Sequence, residues 1–243
     1  TLQVSIPQVQ DRQWLYLDAS LLDADGKGIN QERFTLEAFA ENRPISSSRR
    51  VAYLGKQAER ILQRLRLRAS NFFTNPTDFD AILISSCAEC SKHQAAIMER
   101  VKRGATAILV RDGQQPTPEW DIAGRLFPSK EINGVFFLAF DTEDQRMKDS
   151  RPGDFSYWYN RDSDMIDFIA DRYFESEELT PLLFTYAKPG FFEAEKGKKK
   201  RLAVVGSIPS GQGEVILSNL LLAGRVGFNP ILDRFLTTLL TER

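Results

Sequence analysis

Three short apolar runs, each followed or preceded by a helical pattern, constrain this chain most. They are "RVAYLG" at residues 50–55, "DAILISS" at 80–86 and "TAILVR" at 106–111. Each is too short for a helix and apolar without alternation, the pattern of a strand buried on both faces. Between the first two lies an amphipathic stretch, residues 56–68, with Ala58, Ile61, Leu62 and Leu65 on one face. Between the second and third, residues 91–103 read as a helix. Ser91 and Gln94 have capping-box spacing there, and Gly104 stands at the stop. A fourth run, "VFFLAF" at 135–140, reads as another strand of the same kind.

Strands alternating with helices predict a mainly parallel sheet with helices on both faces, the flavodoxin-like or Rossmann-like α/β class. Ligand sites of that class lie past the carboxyl ends of the strands. Residues 201–208 and 214–218 flank the turn Pro209-Ser210-Gly211-Gln212-Gly213 and suit an antiparallel pair on the sheet edge. A last helix is expected from Pro230 to about Thr241, with Asn229 as N-cap and Pro230 at the first helical position.

Residues 1–45 have another character. Trp14, Tyr16 and Leu22, then Phe34, Leu36 and Ala38, fit the period of strands on either side of a turn at Asp23-Ala24-Asp25-Gly26-Lys27-Gly28. So few strands cannot close a sandwich alone. The segment Arg43-Pro44-Ile45-Ser46-Ser47-Ser48 reads as a linker. The expected division is residues 1–45, β-strands, and 46–243, an α/β domain.

With 42% apolar and 27% charged residues, the chain can bury a core and solvate its surface. The net charge of −1 gives no global attraction for nucleic acid. No run of 18 apolar residues predicts membrane insertion. The start, "TLQVSIPQVQ", has neither the basic nor the apolar region of a signal peptide, so the chain reads as a piece of something longer or a processed product. Two cysteines do not form a disulfide scaffold, so cysteine usage assigns no compartment.

The sharpest chemical motif is Cys87-Ala88-Glu89-Cys90, with His93 three residues on. A thiol at a helix start can have a lowered pKa, which allows redox chemistry; Cys90 is expected to be the more reactive. Cys87, Cys90 and His93 also have ligand spacing, but a closed zinc site needs a fourth ligand and the chain has no further Cys or His. The favoured reading is structural, with no metal and no cofactor. The fold class brings a class I glutamine amidotransferase to mind as an enzyme. Its nucleophile would follow a strand and its His would come late in the chain. Here "TAILVR" is followed by Asp112-Gly113-Gln114, and the single His lies early. No catalytic residue is assigned.

Residues 141–178 carry 12 acidic and 5 basic residues, including Asp162, Asp164 and Asp167. A solvated face explains them better than a glycosidase carboxylate pair. Within this stretch Tyr157, Trp158 and Tyr159 form a candidate glycan contact, although strand alternation would bury either Trp158 or the two tyrosines. Arg60, Arg64, Arg66 and Arg68 line the first helix, and "KGKKKR" at 196–201 is basic; both read as exposed surface. Gly211-Gln212-Gly213 is too short for a phosphate-binding loop.

Several segments, in order, resemble the C-terminal region of bacterial family 2 glycoside hydrolases of the β-galactosidase and β-mannosidase type. "LYLDASLLDADGKGI" resembles the end of the Ig-like domain behind the catalytic barrel. "RRVAYLG", "FDAILISSC" and "ERVKRGATAILV" resemble an appended flavodoxin-like module, akin to the amidotransferase-like trimerisation domain of other β-galactosidases. "RPGDFSYWYN" and "ELTPLLFTYAKPG" resemble its later loops, and "GQGEVILSNLLLAGRVGFNPILDRFLTTLL" its closing strand and helix. The resemblance implies a non-catalytic structural or interaction module. Its implied partners are the remainder of the parent hydrolase chain, a homo-oligomer and a glycan, and its implied location is periplasmic or secreted. The alternative is a stand-alone small α/β hydrolase or redox protein using Cys87, Cys90 and His93. The family's sugar-binding domain and barrel have no counterpart in these residues, so its activity transfers to none of them.

Overall fold

The computed structural model describes residues 5–40, 47–76, 78–111, 120–122, 124–187 and 200–242. The chain divides into two compact units, Thr1–Arg43 and Pro44–Arg243.

The first unit is an antiparallel hairpin of β1 (Gln13–Leu22) and β2 (Gly28–Ala38). Asp23 makes the turn: its carboxylate accepts the amides of Asp25 and Lys27, and Gly26 takes the left-handed φ of +79°. Register pairs Leu15 with Leu36 and Leu17 with Phe34, so these leucines share a face with Phe34, Leu36 and Ala38. Trp14 and Tyr16 point to the other face and are exposed.

The second unit is built on a mixed ten-stranded sheet. Its parallel half runs in the order β4 (Ala69–Asn71), β3 (Val51–Leu54), β5 (Ala81–Ile84), β6 (Thr106–Val110), β16 (Gly213–Ser218). β15 (Arg201–Ser210) returns antiparallel on β16, followed outward by β14 (Thr180–Tyr186) and β10 (Ala139–Phe140). β13 (Ala170–Phe174) joins β15 to β9 (Ser129–Val135). Two small ribbons stand apart from it: β7 (Trp120–Ile122) with β8 (Arg125–Phe127), and β11 (Tyr159–Asn160) with β12 (Met165–Ile166).

Among the described residues three helices cover the sheet: α1 (Lys56–Arg64), α2 (Cys87–Lys102) and α3 (Pro230–Thr241). Strand alternation sorts the core into two layers. Ala81 and Leu83 of β5 and Ile108 and Val110 of β6 face α1 and α3, where Ile61, Leu62, Leu232 and Leu236 meet them. Ile82, Ile84, Ala107 and Leu109 face α2, through Ile97, Met98 and Val101. Each such large apolar side chain contributes roughly 1.5–3 kcal/mol on burial. Helices thus lie on both faces, and the continuous apolar runs are explained.

Four expectations need correction. The sheet has the expected parallel strands but is mixed as a whole, because β9, β10, β13, β14 and β15 pair antiparallel. "VFFLAF" is not a buried strand: β9 ends at Val135, β10 begins at Ala139, and Phe136 and Phe137 between them are exposed. The hairpin of β15 and β16 is not at the edge, since β16 continues the parallel half beside β6. Both helix bounds also shift. α1 ends at Arg64 because Arg66 turns left-handed (φ +57°), with Leu67 N–H donating to Leu62 O and Arg66 N–H to Gln63 O. That pair of bonds is a Schellman stop. α2 starts at Cys87 because Ser86, not Ser91, is its N-cap, accepting the amide of Glu89. α2 closes on the same stop as α1, with Gly104 at φ +114° and Ala105 N–H on Arg100 O.

Candidate functional site

The carboxyl ends of β3 and β5 are where the strand order reverses, the place where open α/β sheets bind ligands. In this chain that place is filled by side chains serving the fold. Ser85, 2% exposed, accepts the Ala58 amide in the first turn of α1 at 2.9 Å. Gly55 gives it room: a Cβ there would lie 2.5 Å from Ser85 Oγ, and φ is +102°. Ser86 caps α2. At the end of β6, Arg111 pairs with Asp171. Asn219, one residue past β16, is fully buried, and neither end of its amide has a bonding partner among the described residues.

The thiols follow at once. Cys87 is half-buried and Cys90 buried, and both are free. Burial pushes Cys87 up to about 11 and Cys90 up to about 12. For Cys90 the neighbouring Cys87 and Asp121 add to this. The expectation of a reactive Cys90 is therefore overturned: desolvation outweighs the helix N-terminus. His93 does not turn towards the thiols as a partner. Its ring packs against Phe72 (5.5 Å) and Phe73 (5.1 Å), with Glu89 at 3.9 Å from Nε2. Among the described residues no three His, Cys, Asp or Glu side chains gather as a metal site.

The aromatic triplet separates. Trp158 is 3% exposed, and its indole N–H donates to Asp154 O at 2.8 Å. It packs on Phe155, inside the layer facing α3, so it offers no surface to a sugar. Tyr157 and Tyr159 are exposed. Tyr157 stacks on Phe136 at 6.2 Å, and the Tyr159 hydroxyl donates to Asp164. Residues 43–46, 112–114 and 196–199 of the linker, the loop after β6 and the basic run lie outside the described residues.

A cleft of about 570 Å³ opens between α1 and the loop after β16. Lys56, Gln57, Arg60, Ile61 and Arg64 form one wall, and Leu222, Ala223, Gly224, Val226 and Asp162 the other. The second wall is held tightly. Gly224 (φ +68°) faces Asn160, where a Cβ would lie 2.0 Å from Oδ1. Arg161 N–H donates to Gly224 O, and the Asp162 amide to Asn160 Oδ1. Beneath it Arg225, 1% exposed, donates to Leu221 O and Phe168 O, both at 2.7 Å. Burial lowers the Arg225 pKa from its ordinary value, and the Asp167 carboxylate, 4.0 Å away, only partly offsets this. The basic character of α1 was legible in sequence; its opposing wall, built from two distant loops, was not.

No protein-family model and no curated protein matches the sequence. Solved structures resemble it weakly. A β-galactosidase from Rahnella sp. R3 aligns at 10% identity over 79% of this chain and 31% of that one, with a TM-score of 0.45. A GH42 β-galactosidase from G. stearothermophilus aligns at 11% identity over 77% and 29%, with a TM-score of 0.40. A cytoplasmic protein from Salmonella typhimurium LT2 aligns at 10% identity over 95% of both chains, with a TM-score of 0.44. The chain spans under a third of the length of either β-galactosidase.

Proposed function

We propose that this chain is a non-catalytic structural or interaction module of a carbohydrate-degrading glycoside hydrolase of family 2 type, serving oligomerisation or glycan contact. In this reading Pro44–Arg243 is a flavodoxin-like, amidotransferase-like domain, and the preceding hairpin is the end of an Ig-like sandwich. One observation carries the non-catalytic part. The hydroxyls and thiols at the carboxyl ends of the parallel strands are already engaged: Ser85 and Ser86 hold helix amides, and burial keeps both thiols protonated. The order β4-β3-β5-β6-β16 supports the flavodoxin-like assignment, being the 2-1-3-4-5 order of that class. The ordered run of sequence resemblances supports the hydrolase assignment. The hairpin supports the sandwich: Leu21, Phe34 and Leu36 leave an apolar face open, and two strands alone are marginally stable.

The direct test is activity. Purified chain is expected to release no aryl group from aryl β-galactosides or β-mannosides. Turnover abolished by substituting an Asp or Glu of this chain overturns the reading. The coding sequence upstream of Thr1 gives a second test: a catalytic barrel there is expected, and a start codon close by counts against it. The redox and hydrolase alternative has no observation in its favour, because the pKa shifts of Cys87 and Cys90 oppose it.

A further inference from the structure

We infer that the cleft between α1 and the loop after β16 binds an acidic oligosaccharide, with Lys56, Arg60 and Arg64 reading its charges and Asp162 its hydroxyls. The argument begins with charge pairing. Arg50, Arg100, Arg111, Arg146 and Arg172 each face a carboxylate within 4 Å. Lys56, Arg60 and Arg64 face none among the described residues, although all three line the same cavity. They stand four residues apart on one helical face, a rise of about 6 Å from each cation to the next. Such a row suits charges carried on successive rings of a chain better than the clustered oxygens of one phosphate.

The opposite wall selects further. The Asp162 carboxylate repels a bare polyanion but accepts hydrogen bonds from hydroxyls. Gln57 adds an amide, and the exposed Ala223 methyl offers a small apolar contact to the C–H face of a sugar ring. The volume lies within the roughly 300–1,000 Å³ of small-molecule sites. Arg64 is positioned from behind, its guanidinium 3.5 Å from Val226 O and 5.9 Å from the Phe228 ring, which Arg161 also covers at 4.3 Å.

The choice of a saccharide rests on the carbohydrate reading above; the row of unpaired cations does not. Calorimetric titration of the purified chain with trigalacturonate, maltotriose and sodium sulfate separates the two. Trigalacturonate is expected to bind saturably, and more weakly as salt is added. Arg60→Glu is expected to weaken it by about tenfold, some 1.4 kcal/mol. Arg68→Glu makes the same charge change outside the cleft and is expected to alter affinity by under about twofold. Asp162→Asn is expected to weaken trigalacturonate, through the lost hydroxyl acceptor, and to strengthen sulfate, through the lost repulsion. No saturable binding, equal loss in Arg60→Glu and Arg68→Glu, or equal affinity for maltotriose would overturn the site. Sulfate binding as tightly as trigalacturonate, with the same loss in Arg60→Glu, would overturn the saccharide and the glycan-contact role while leaving the assembly role of the module standing.

Discussion

Arg66 occupies a position where glycine is usual, and replacing it by glycine rather than by alanine gives a measurable gain. It is the left-handed residue of the stop that closes α1, at φ +57°. An L-residue there carries a cost of roughly 1–2 kcal/mol. Glycine removes that cost but loses roughly 0.5–1 kcal/mol through its freer unfolded chain. The net difference is about 0.5–1 kcal/mol in favour of glycine. Arg66→Ala is the proper reference, since it deletes the side chain while keeping the strained backbone. Arg66→Gly is therefore expected to melt about 1–4 °C above Arg66→Ala in a domain of this size. α2 supplies the reverse experiment. It ends on the same pair of bonds with Gly104 at φ +114°, so Gly104→Ala is expected to cost at least about 1 kcal/mol. Differential scanning calorimetry and urea titration at neutral pH measure both. Arg66→Gly melting at or below Arg66→Ala, or a neutral Gly104→Ala, would refute the backbone account of these stops.

Three further outcomes are expected. Gly224→Ala must push against Asn160 Oδ1 at 2.0 Å and hold an alanine at φ +68°, so urea titration should show a loss of about 2–3 kcal/mol; a neutral result would mean that the Asn160 loop moves freely. Ser85→Ala leaves the Ala58 amide buried without its acceptor, and the same titration should show a loss of about 1–2 kcal/mol. The thiols give a pH test. Both have pKa values raised from an ordinary 9.0, so the stability they contribute is present below pH 9 and is lost as pH rises through about 11 for Cys87 and 12 for Cys90. Stability measured upward from pH 9 should fall less steeply in Cys90→Ala than in the parent protein, and a disulfide reagent should modify Cys90 only on unfolding.

The parallel core was legible because its strands are apolar throughout. β3, β5 and β6 are buried between helices on both sides, and nothing in their residues suggests another role. Local ambiguity caused most of the misreadings. Ser86-Cys87-Ala88-Glu89 and Ser91-Lys92-His93-Gln94 both have cap spacing, and the first was masked by the apolar run it follows. β14 has a proline at its second position, which suggests a loop, yet Pro181 sits at a register shift where no ladder amide is needed. "VFFLAF" has the composition of a buried strand, but Gly134 packs so closely on Phe168 that a Cβ would lie 2.1 Å away, and the chain beyond it turns outward. The cleft was hidden for another reason. Arg66 and Arg68 belong to the turn beyond α1, leaving Lys56, Arg60 and Arg64 as the line that matters. Their partner wall comes from loops about 100 and 160 residues further on, which no local pattern joins.

The place of β16 between β6 and β15 governs how this domain is made. During synthesis the ribosome releases β3, α1, β5, α2 and β6 before β16, and these pair in order. The edge of β6 then stays open until Glu214, more than a hundred residues further along the chain, arrives to lie beside Thr106. Such distant pairing slows folding, and an uncovered hydrophobic strand edge invites association with other chains. A nascent chain stopped before Gly213 is therefore expected to need a chaperone, whereas release of β16 and α3 closes the sheet and covers it.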